Sequence, residues 1–222
     1  MRFLLKYPTR SRPELFKERV RNWCDTSSGM HTLTWLVSAD YDDETMNTFE
    51  IWEWCGVEGV NLIYGDNHSK VEACNADLQL AGSDWDVLVL VSDDMVAAPG
   101  WDQTIADNMP DDLNMGLWFP DGRQRRLCTL SIFGRPILDN VLGGFIYHPE
   151  FKSVWADNYY QWIMQQHGLL KFVDIQIARH AWQEQNRDAL MQRNESRELY
   201  RLDRATFERL TREQHALAEP RG

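Results

Sequence analysis

Short apolar runs alternate with amphipathic stretches along the first half of the chain. The clearest run, Val87–Val91, contains five apolar residues without polar alternation and is rich in β-branched side chains. That pattern is typical of a strand buried on both faces of a parallel sheet. A buried helix segment is the alternative, but the run is short and Pro99 and Gly100 follow it, which favours a strand.

The same reasoning predicts alternating strands and helices up to this run. Strands are predicted over residues 2–9, 31–40, 60–65 and 87–91, and helices over residues 13–23, 43–54 and 69–82. Pro13 takes the favoured first helical position, and Gly82 ends the third helix. This order predicts a parallel sheet with right-handed crossovers.

The pattern changes beyond residue 100. Helices are predicted over residues 101–109 and 151–168, and strands over residues 115–122, 126–134 and 169–175. From about residue 185 onward the sequence is rich in charged residues, and its pattern predicts helix. We therefore predict an α/β domain over residues 1–184 and a C-terminal helical extension over residues 185–222.

Composition and charge narrow the class of protein. The 222 residues are 43% hydrophobic and 12% aromatic, with 10 Trp, which predicts a folded globular protein. The net charge of −11 argues against a general nucleic-acid coat protein, although a local basic face remains possible. No apolar stretch is long enough to span a membrane, and the N-terminal apolar core is too short for a signal peptide. Four cysteines without CxxC spacing indicate reduced, mostly buried thiols in a cytoplasmic protein.

Polar residues stand where the predicted strands end, which is where open α/β sheets bind ligands. Ser92, Asp93 and Asp94 follow the fourth strand, and Asp40 ends the second. Adjacent carboxylates repel each other and need a cation, an arginine or water nearby. A solvated turn that caps the next helix is the alternative for the Asp pair, and a helix cap or turn is the alternative for Asp40. The position of the pair favours a metal or phosphate site.

The turn after the first strand, "PTRSRP", contains no glycine, which argues against an NAD or FAD enzyme. It carries Thr9, Arg10 and Arg12 instead. Arginine offers bidentate donors to phosphate or carboxylate. Surface pairing of these arginines with acidic neighbours is the alternative.

The motifs "TRSRP", "VSAD", "KVEACNAD" and "VSDDM" occur in an order that resembles the GT-A glycosyltransferases, especially small inverting enzymes of the family-2 type. The resemblance covers about residues 3–182. It implies a Rossmann-like, mostly parallel sheet flanked by helices. It also implies a set of residues that contact a nucleotide-sugar donor, expected to be a UDP-sugar: Thr9, Arg10, Arg12, Asp40, Lys70, Asn75 and Asp93.

The resemblance further implies a divalent cation, Mn²⁺ or Mg²⁺, that neutralises the leaving diphosphate. Asp94 matches the metal-binding position of the family's DxD motif, whereas Ser92 replaces the first aspartate. His180, in "DIQIARHAW", resembles the histidine that closes the metal site. A packed or surface histidine is the alternative.

Asp157, in "WADNYYQW", matches the family's general base, which lies at the start of a helix. The helix N-terminus is expected to keep this carboxylate ionised. Ordinary charge complementarity in the first helical turn is the alternative for this residue.

The acceptor side is expected to include the residues of one basic loop and one later segment: Arg123, Arg125, Arg126 and Tyr147. The chain also resembles small bacteriophage glycosyltransferases, some of which modify hydroxymethylated bases in DNA. This resemblance implies a protein that acts in the host cytoplasm, with DNA as the acceptor. A polysaccharide or a lipid-linked sugar is the alternative acceptor. The arginines of the C-terminal segment could contact DNA phosphates, but a solvated, salt-bridged helix is favoured for them.

Two other functions remain open. A nucleotidyltransferase combines a basic first turn with paired aspartates, but it would normally carry a glycine-rich turn. A non-catalytic protein that binds a nucleotide-sugar or DNA is compatible with Ser92 in the DxD position.

Overall fold

The fold is built on a seven-stranded mixed sheet in a computed structural model that describes residues 1–181 and 189–218. The strands in chain order are β1 (Arg2–Pro8), β2 (Thr32–Asp40), β3 (Asn61–Gly65), β4 (Val87–Leu90), β5 (Met95–Ala97), β6 (Gly116–Trp118), β7 (Ile132–Gly134), β8 (Leu170–Phe172) and β9 (Ala178–His180). The sheet order is β3-β2-β1-β4-β7-β6-β8, and β5 pairs separately with β9. β7 runs antiparallel to both of its neighbours, and the other adjacent pairs of the large sheet are parallel.

Helices cover both faces of this sheet. In chain order they are α1 (Pro13–Asp25), α2 (Phe49–Glu58), α3 (Lys70–Asn75), α4 (Trp101–Asn108), α5 (Arg135–Asn140), α6 (Ala156–Gln166), α7 (Ala189–Asn194) and α8 (Arg197–Ala218). The predicted mostly parallel sheet flanked by helices is therefore confirmed. Helical C-terminal residues are also present, although the predicted boundary at residue 184 lies outside the described residues.

The strand β4 separates two hydrophobic clusters. Val87 and Val89 pack into the cluster beneath α1, α2 and α4, whereas Leu88 and Leu90 pack into the cluster beneath α3, α5 and α6. All four side chains are buried. The uninterrupted apolar run is thus explained by burial on both faces of the sheet.

Three helices differ markedly from their predicted bounds, among them the helix predicted over residues 151–168, which spans only Ala156–Gln166. The helix predicted over residues 43–54 begins only at Phe49, because the Thr48 hydroxyl caps it by accepting a hydrogen bond from the Ile51 N–H. The helix predicted over residues 69–82 ends at Asn75. Asp77 then adopts a left-handed conformation, with φ 65°, before a short 3-10 helix over Leu78–Ala81.

The second half of the chain departs further from the prediction. The strand predicted over residues 126–134 is formed only by its last three residues, and α5 follows it directly. The strands β5 and β9 were not predicted, because three residues carry no readable periodicity. Their antiparallel pairing sets Met95 opposite His180.

The four cysteines are free thiols, and three of them are buried, as predicted. Among residues 1–181 and 189–218, none of the helices combines the length and apolar character needed to cross a membrane.

Candidate active site

A cleft of about 470 Å³ opens at the carboxyl ends of β1, β2 and β4. Six of the seven predicted donor residues line it: Thr9, Arg10, Arg12, Asp40, Lys70 and Asp93. A smaller cavity of about 90 Å³ adjoins it and is lined by Asp157, His180 and Tyr147. Lys70 and Asp94 line both cavities. The structure thus brings six of the seven predicted donor residues, together with the predicted metal and base residues, to two adjoining cavities.

The two arginines of the first turn are held by carboxylates within the cleft. Arg10 donates to Asp40 Oδ2 at 2.7 Å and to Asp42 Oδ1 at 2.6 Å, and Arg12 donates to Asp93 Oδ2 at 3.2 Å. The hydrogen bonds to Asp42 and Asp40 raise the pKa of Arg10. Both arginines therefore line the cleft and also make the acidic contacts that the alternative interpretation expected.

Asp93 is buried at the floor of the cleft. Its Oδ1 accepts a hydrogen bond from the Tyr7 hydroxyl at 2.5 Å. Burial raises the pKa of Asp93 to about 6, although the Tyr7 hydrogen bond and the Arg12 charge oppose this shift. Tyr7 was not predicted, since an apolar-facing tyrosine in a buried strand resembles an ordinary core residue.

Asp94 and His180 meet because β5 pairs with β9. His180 Nε2 lies 3.0 Å from Asp94 Oδ2, and His180 Nδ1 lies 3.4 Å from Asp121 Oδ2. Burial alone would raise the pKa of Asp94, but the His180 hydrogen bond and the charges of His180 and Lys70 outweigh it and lower the pKa well below its usual value. Asp94 is therefore an ionised carboxylate beside a histidine.

The chemistry of Asp94 and His180 suits a divalent cation. Among the described residues, no group of three His, Cys, Asp or Glu side chains is arranged to hold an ion. Asp94 and His180 offer one oxygen and one nitrogen, a pair that Mn²⁺ accepts more readily than Mg²⁺ does. The Ser92 hydroxyl donates to Asp94 Oδ1 and orients that carboxylate. The residues fit a two-ligand site whose other positions would go to water and diphosphate oxygens.

Lys70 is the first residue of α3, which Ser69 caps by accepting from the Glu72 N–H at 3.1 Å. Desolvation lowers the pKa of Lys70, but the negative charges of nearby acids, including Asp94 and Asp157, outweigh it and leave the pKa raised. Lys70 is therefore a stable cation that faces both cavities.

Asp157 is the second residue of α6 and lines the smaller cavity. Its Oδ1 accepts the Asn158 N–H at 2.8 Å. Burial raises the pKa of Asp157, and the Lys70 charge only partly offsets this shift. Desolvation thus has a larger effect on the pKa of this carboxylate than the opposing Lys70 charge and main-chain hydrogen bonds together.

The predicted acceptor residues divide into two groups. Tyr147 lines the smaller cavity, whereas the three loop arginines are not among its lining residues. Arg123 Nε donates to the His180 carbonyl at 2.8 Å, Arg125 pairs with Asp174, and Arg126 is exposed.

Asn75, predicted to face the donor, is not among the residues that line the cleft. Its side-chain amide donates to the Tyr147 carbonyl at 2.7 Å, and its oxygen accepts the Tyr147 N–H at 3.0 Å. Asn75 therefore holds the chain segment that carries Tyr147.

Asp121 is a buried carboxylate that the sequence did not single out. It accepts hydrogen bonds from the N–H groups of Arg123 and Gln124, both at 2.9 Å, and from the Thr129 hydroxyl at 3.0 Å. It also contacts His180. Asp121 thus connects the basic loop to the histidine. Nothing in a loop aspartate followed by glycine distinguishes this role from an ordinary turn.

The C-terminal helices form one wall of the cleft. Six of their residues and of the turn between them line it: Leu190, Met191, Arg193, Asn194, Glu195 and Leu199. Further along α8, the fully buried Asp203 accepts the N–H groups of Lys152 and Ser153 at 2.9 and 2.8 Å. The described part of the predicted extension is therefore packed against the α/β domain and contributes to the site.

Two arginines farther along α8 pair with glutamates of the same helix. Arg204 lies 2.9 Å from Glu208, and Arg209 lies 3.0 Å from Glu213. These contacts match the salt-bridged helix that the sequence favoured.

Neither protein-family models nor curated proteins give a match to the chain. Solved structures do. TarS of S. aureus matches with a TM-score of 0.58 and 13% identity over 82% of this chain and 37% of TarS, and a TarS 1–349 structure in complex with UDP-GlcNAc matches with a TM-score of 0.56. The chain spans 37% to 60% of the length of the TarS structures.

Two further structures extend this likeness. The mannosyltransferase PcManGT from Pyrobaculum calidifontis, in complex with GDP-Man and Mn²⁺, matches with a TM-score of 0.60 and 13% identity over 81% of this chain and 56% of PcManGT. The catalytic domain of Drosophila β1,4-galactosyltransferase 7 matches with a TM-score of 0.55 and 12% identity over 84% of this chain and 71% of that domain. At these identities the likeness shows the fold, which is that of the GT-A glycosyltransferases.

Proposed function

We propose that the protein is a metal-dependent, inverting glycosyltransferase that transfers a sugar from a UDP-sugar to an acceptor hydroxyl. The observation that carries this proposal is the junction of the two cavities. Lys70 and Asp94 line both, with the first-turn residues on one side and Asp157 on the other. The fold supports it, since similar structures hold UDP-GlcNAc, or GDP-Man with Mn²⁺.

The larger cleft is proposed to bind the nucleotide. Asp40, which Asn67 holds through a 2.8 Å hydrogen bond, is an acceptor for donor groups of the base or ribose. Lys70 provides positive charge where the two cavities meet, and we assign it to the leaving diphosphate. Binding at the ends of β1, β2 and β4 agrees with the general position of ligands in open α/β sheets.

Asp94 and His180 are the proposed ligands of a divalent cation. When bound, the cation would supply charge neutralisation for the departing diphosphate. Asp94 is suited to this role because its lowered pKa keeps it ionised. Asp121 and Ser92 hold the two ligands in place from behind.

Asp157 is the proposed general base. It takes the proton of the acceptor hydroxyl as the acceptor oxygen bonds to the anomeric carbon and the bond from that carbon to the diphosphate oxygen breaks. A base is most effective when its pKa approaches the working pH, and burial moves the pKa of Asp157 in that direction. Within the described chain, its carboxylate has no side-chain hydrogen-bond partner, which leaves it available to a hydroxyl.

The test is a transfer assay with Asp157→Asn. This change preserves the shape of the side chain and removes its basicity. We expect UDP affinity to be unchanged and the transfer rate to fall by at least about a hundredfold. Asp139→Asn, an exposed aspartate on α5, is the matched control and should transfer at the wild-type rate. Transfer by Asp157→Asn at the wild-type rate would remove the base assignment.

Product stereochemistry tests the inverting mechanism separately. A donor with an α linkage should give a β-linked product, which the anomeric proton coupling reports by NMR for a gluco-configured sugar. A retained α linkage would contradict the mechanism while leaving the donor site unaffected.

The proposed acceptor is a molecule that carries a hydroxyl group, and the transfer assay must cover two classes of acceptor, DNA and sugars. Arg123 and Arg126 belong to the loop that Asp121 connects to His180, and His180 lines the smaller cavity, so this loop is the proposed contact for a negatively charged acceptor. Hydroxymethylated DNA and oligosaccharides should be compared at two salt concentrations, since phosphate contacts weaken steeply with salt. UDP binding without release of UDP from any donor would support the non-catalytic alternative instead.

A further inference from the structure

Five cationic side chains line the larger cleft, and they fall into two groups. Arg10, Arg12 and Lys152 already pair with carboxylates of the chain. Within residues 1–181 and 189–218, Lys70 and Arg193 make no ion pair. A diphosphate would therefore meet two cations that are not held in an ion pair within these residues, one on α3 and one on α7.

Arg193 lies in the last turn of α7 and is exposed at the cleft. Its Nη2 donates to the carbonyl of His68, at a long distance of 3.4 Å. A weak, single contact to a neutral carbonyl leaves the other guanidinium donors available. His68 stands two residues before Lys70, so this contact holds Arg193 at the same part of the cleft as Lys70.

The wall that carries Arg193 is fixed to the domain. Met191, on the same short helix, is buried, and Asp203 of α8 accepts the N–H groups of Lys152 and Ser153, both of which line the cleft. The aromatic rings of Trp155 and Phe207 pack 5.3 Å apart between α6 and α8. Arg193 is thus presented by an anchored surface.

We propose that Arg193 binds the diphosphate of the donor nucleotide from the C-terminal wall of the cleft. This inference rests on the proposed function, and it adds a donor-binding residue from a segment that carried no donor assignment. A guanidinium suits the task, because it presents fixed, paired donors to phosphate oxygens. The ammonium group of Lys70 would neutralise the part of the diphosphate charge that Arg193 does not contact.

The test measures UDP binding by isothermal titration calorimetry in the presence of Mn²⁺, with GDP titrated in parallel. Arg193→Gln retains polarity and most of the length but removes the charge, and UDP affinity should fall by roughly 10- to 100-fold, as expected for a lost charged hydrogen bond. The UDP affinity of Arg193→Lys should fall less, because lysine keeps the positive charge. Arg201→Gln is the matched control, since Arg201 is exposed on α8 and is not among the lining residues of the cleft.

Three outcomes would overturn the inference. UDP affinity of Arg193→Gln within twofold of wild type would show that no phosphate contact exists. Equal losses in Arg193→Lys and Arg193→Gln would assign the effect to the shape of the wall rather than to charge. Wild-type protein that binds neither UDP nor GDP would overturn the proposed function itself, which separates that failure from the first two.

Discussion

Replacing Asp203 by alanine should destabilise the protein by about 3–6 kcal/mol. The carboxylate is fully buried and accepts two main-chain N–H groups, from Lys152 at 2.9 Å and Ser153 at 2.8 Å. A hydrogen bond to a charged group contributes about 1.5–3 kcal/mol, and alanine would leave both donors without a partner. The same change should weaken UDP binding, because Lys152 and Ser153 line the larger cleft.

Urea unfolding followed by tryptophan fluorescence would measure the loss, since Trp155 and Trp162 contact rings of α8. Hydrogen exchange of the Lys152 and Ser153 amides would locate it. Glu208→Ala is the control, because its pair with Arg204 is exposed and should contribute less than about 0.5 kcal/mol. A loss below about 1 kcal/mol for Asp203→Ala, with unchanged amide exchange, would refute the claim that α8 is fixed through this carboxylate.

Three other predictions concern the core and the metal. Burial lowers the pKa of Lys6 from 10.5 to about 8, so charged Lys6 is unfavourable in the folded state below pH 8, and this penalty disappears as the pH rises from 8 to 10.5. Across that pH window, the free energy of unfolding of the wild type, measured with urea, should rise by about 3 kcal/mol relative to that of Lys6→Met. A difference between the two proteins that does not change with pH would contradict the burial effect. Gly134→Ala would bring a Cβ to 1.8 Å from the Leu113 carbonyl oxygen and should destabilise by about 3 kcal/mol or more, whereas Gly56→Ala on α2 meets nothing within 4 Å and should stabilise by about 0.5–1 kcal/mol; similar melting temperatures for the two variants would contradict this. EDTA should abolish transfer and Mn²⁺ restore it, and Asp94→Ala should lower kcat at least about a hundredfold with unchanged circular dichroism; full activity in EDTA would remove the metal from the mechanism.

The first half of the fold could be predicted because its signals are local. The run Val87–Val91 reports burial on both faces of β4, and the helices around it start and stop at recognisable residues. The bounds of α2 and α3 were missed because single contacts decide them. One is the Thr48 cap, and the other is the left-handed turn at Asp77.

The site depends on contacts that no local pattern records. The motif order identified Asp94 and His180 separately, but their meeting requires the pairing of two three-residue strands, β5 and β9. The charged pattern near the C-terminus predicted helices and surface salt bridges. It did not predict that Asp203 would be buried or that Arg193 would line the cleft, because both depend on where α7 and α8 pack.

The central claim is that the larger cleft binds a nucleotide-sugar beside a cation. A crystal structure of the protein with UDP and Mn²⁺ tests it most directly. We predict that the nucleobase lies near Asp40, that the diphosphate lies between Lys70 and Arg193, and that Asp94 and His180 hold the cation. A nucleotide bound elsewhere on the protein, or a cation bound away from Asp94 with UDP in the cleft, would contradict it.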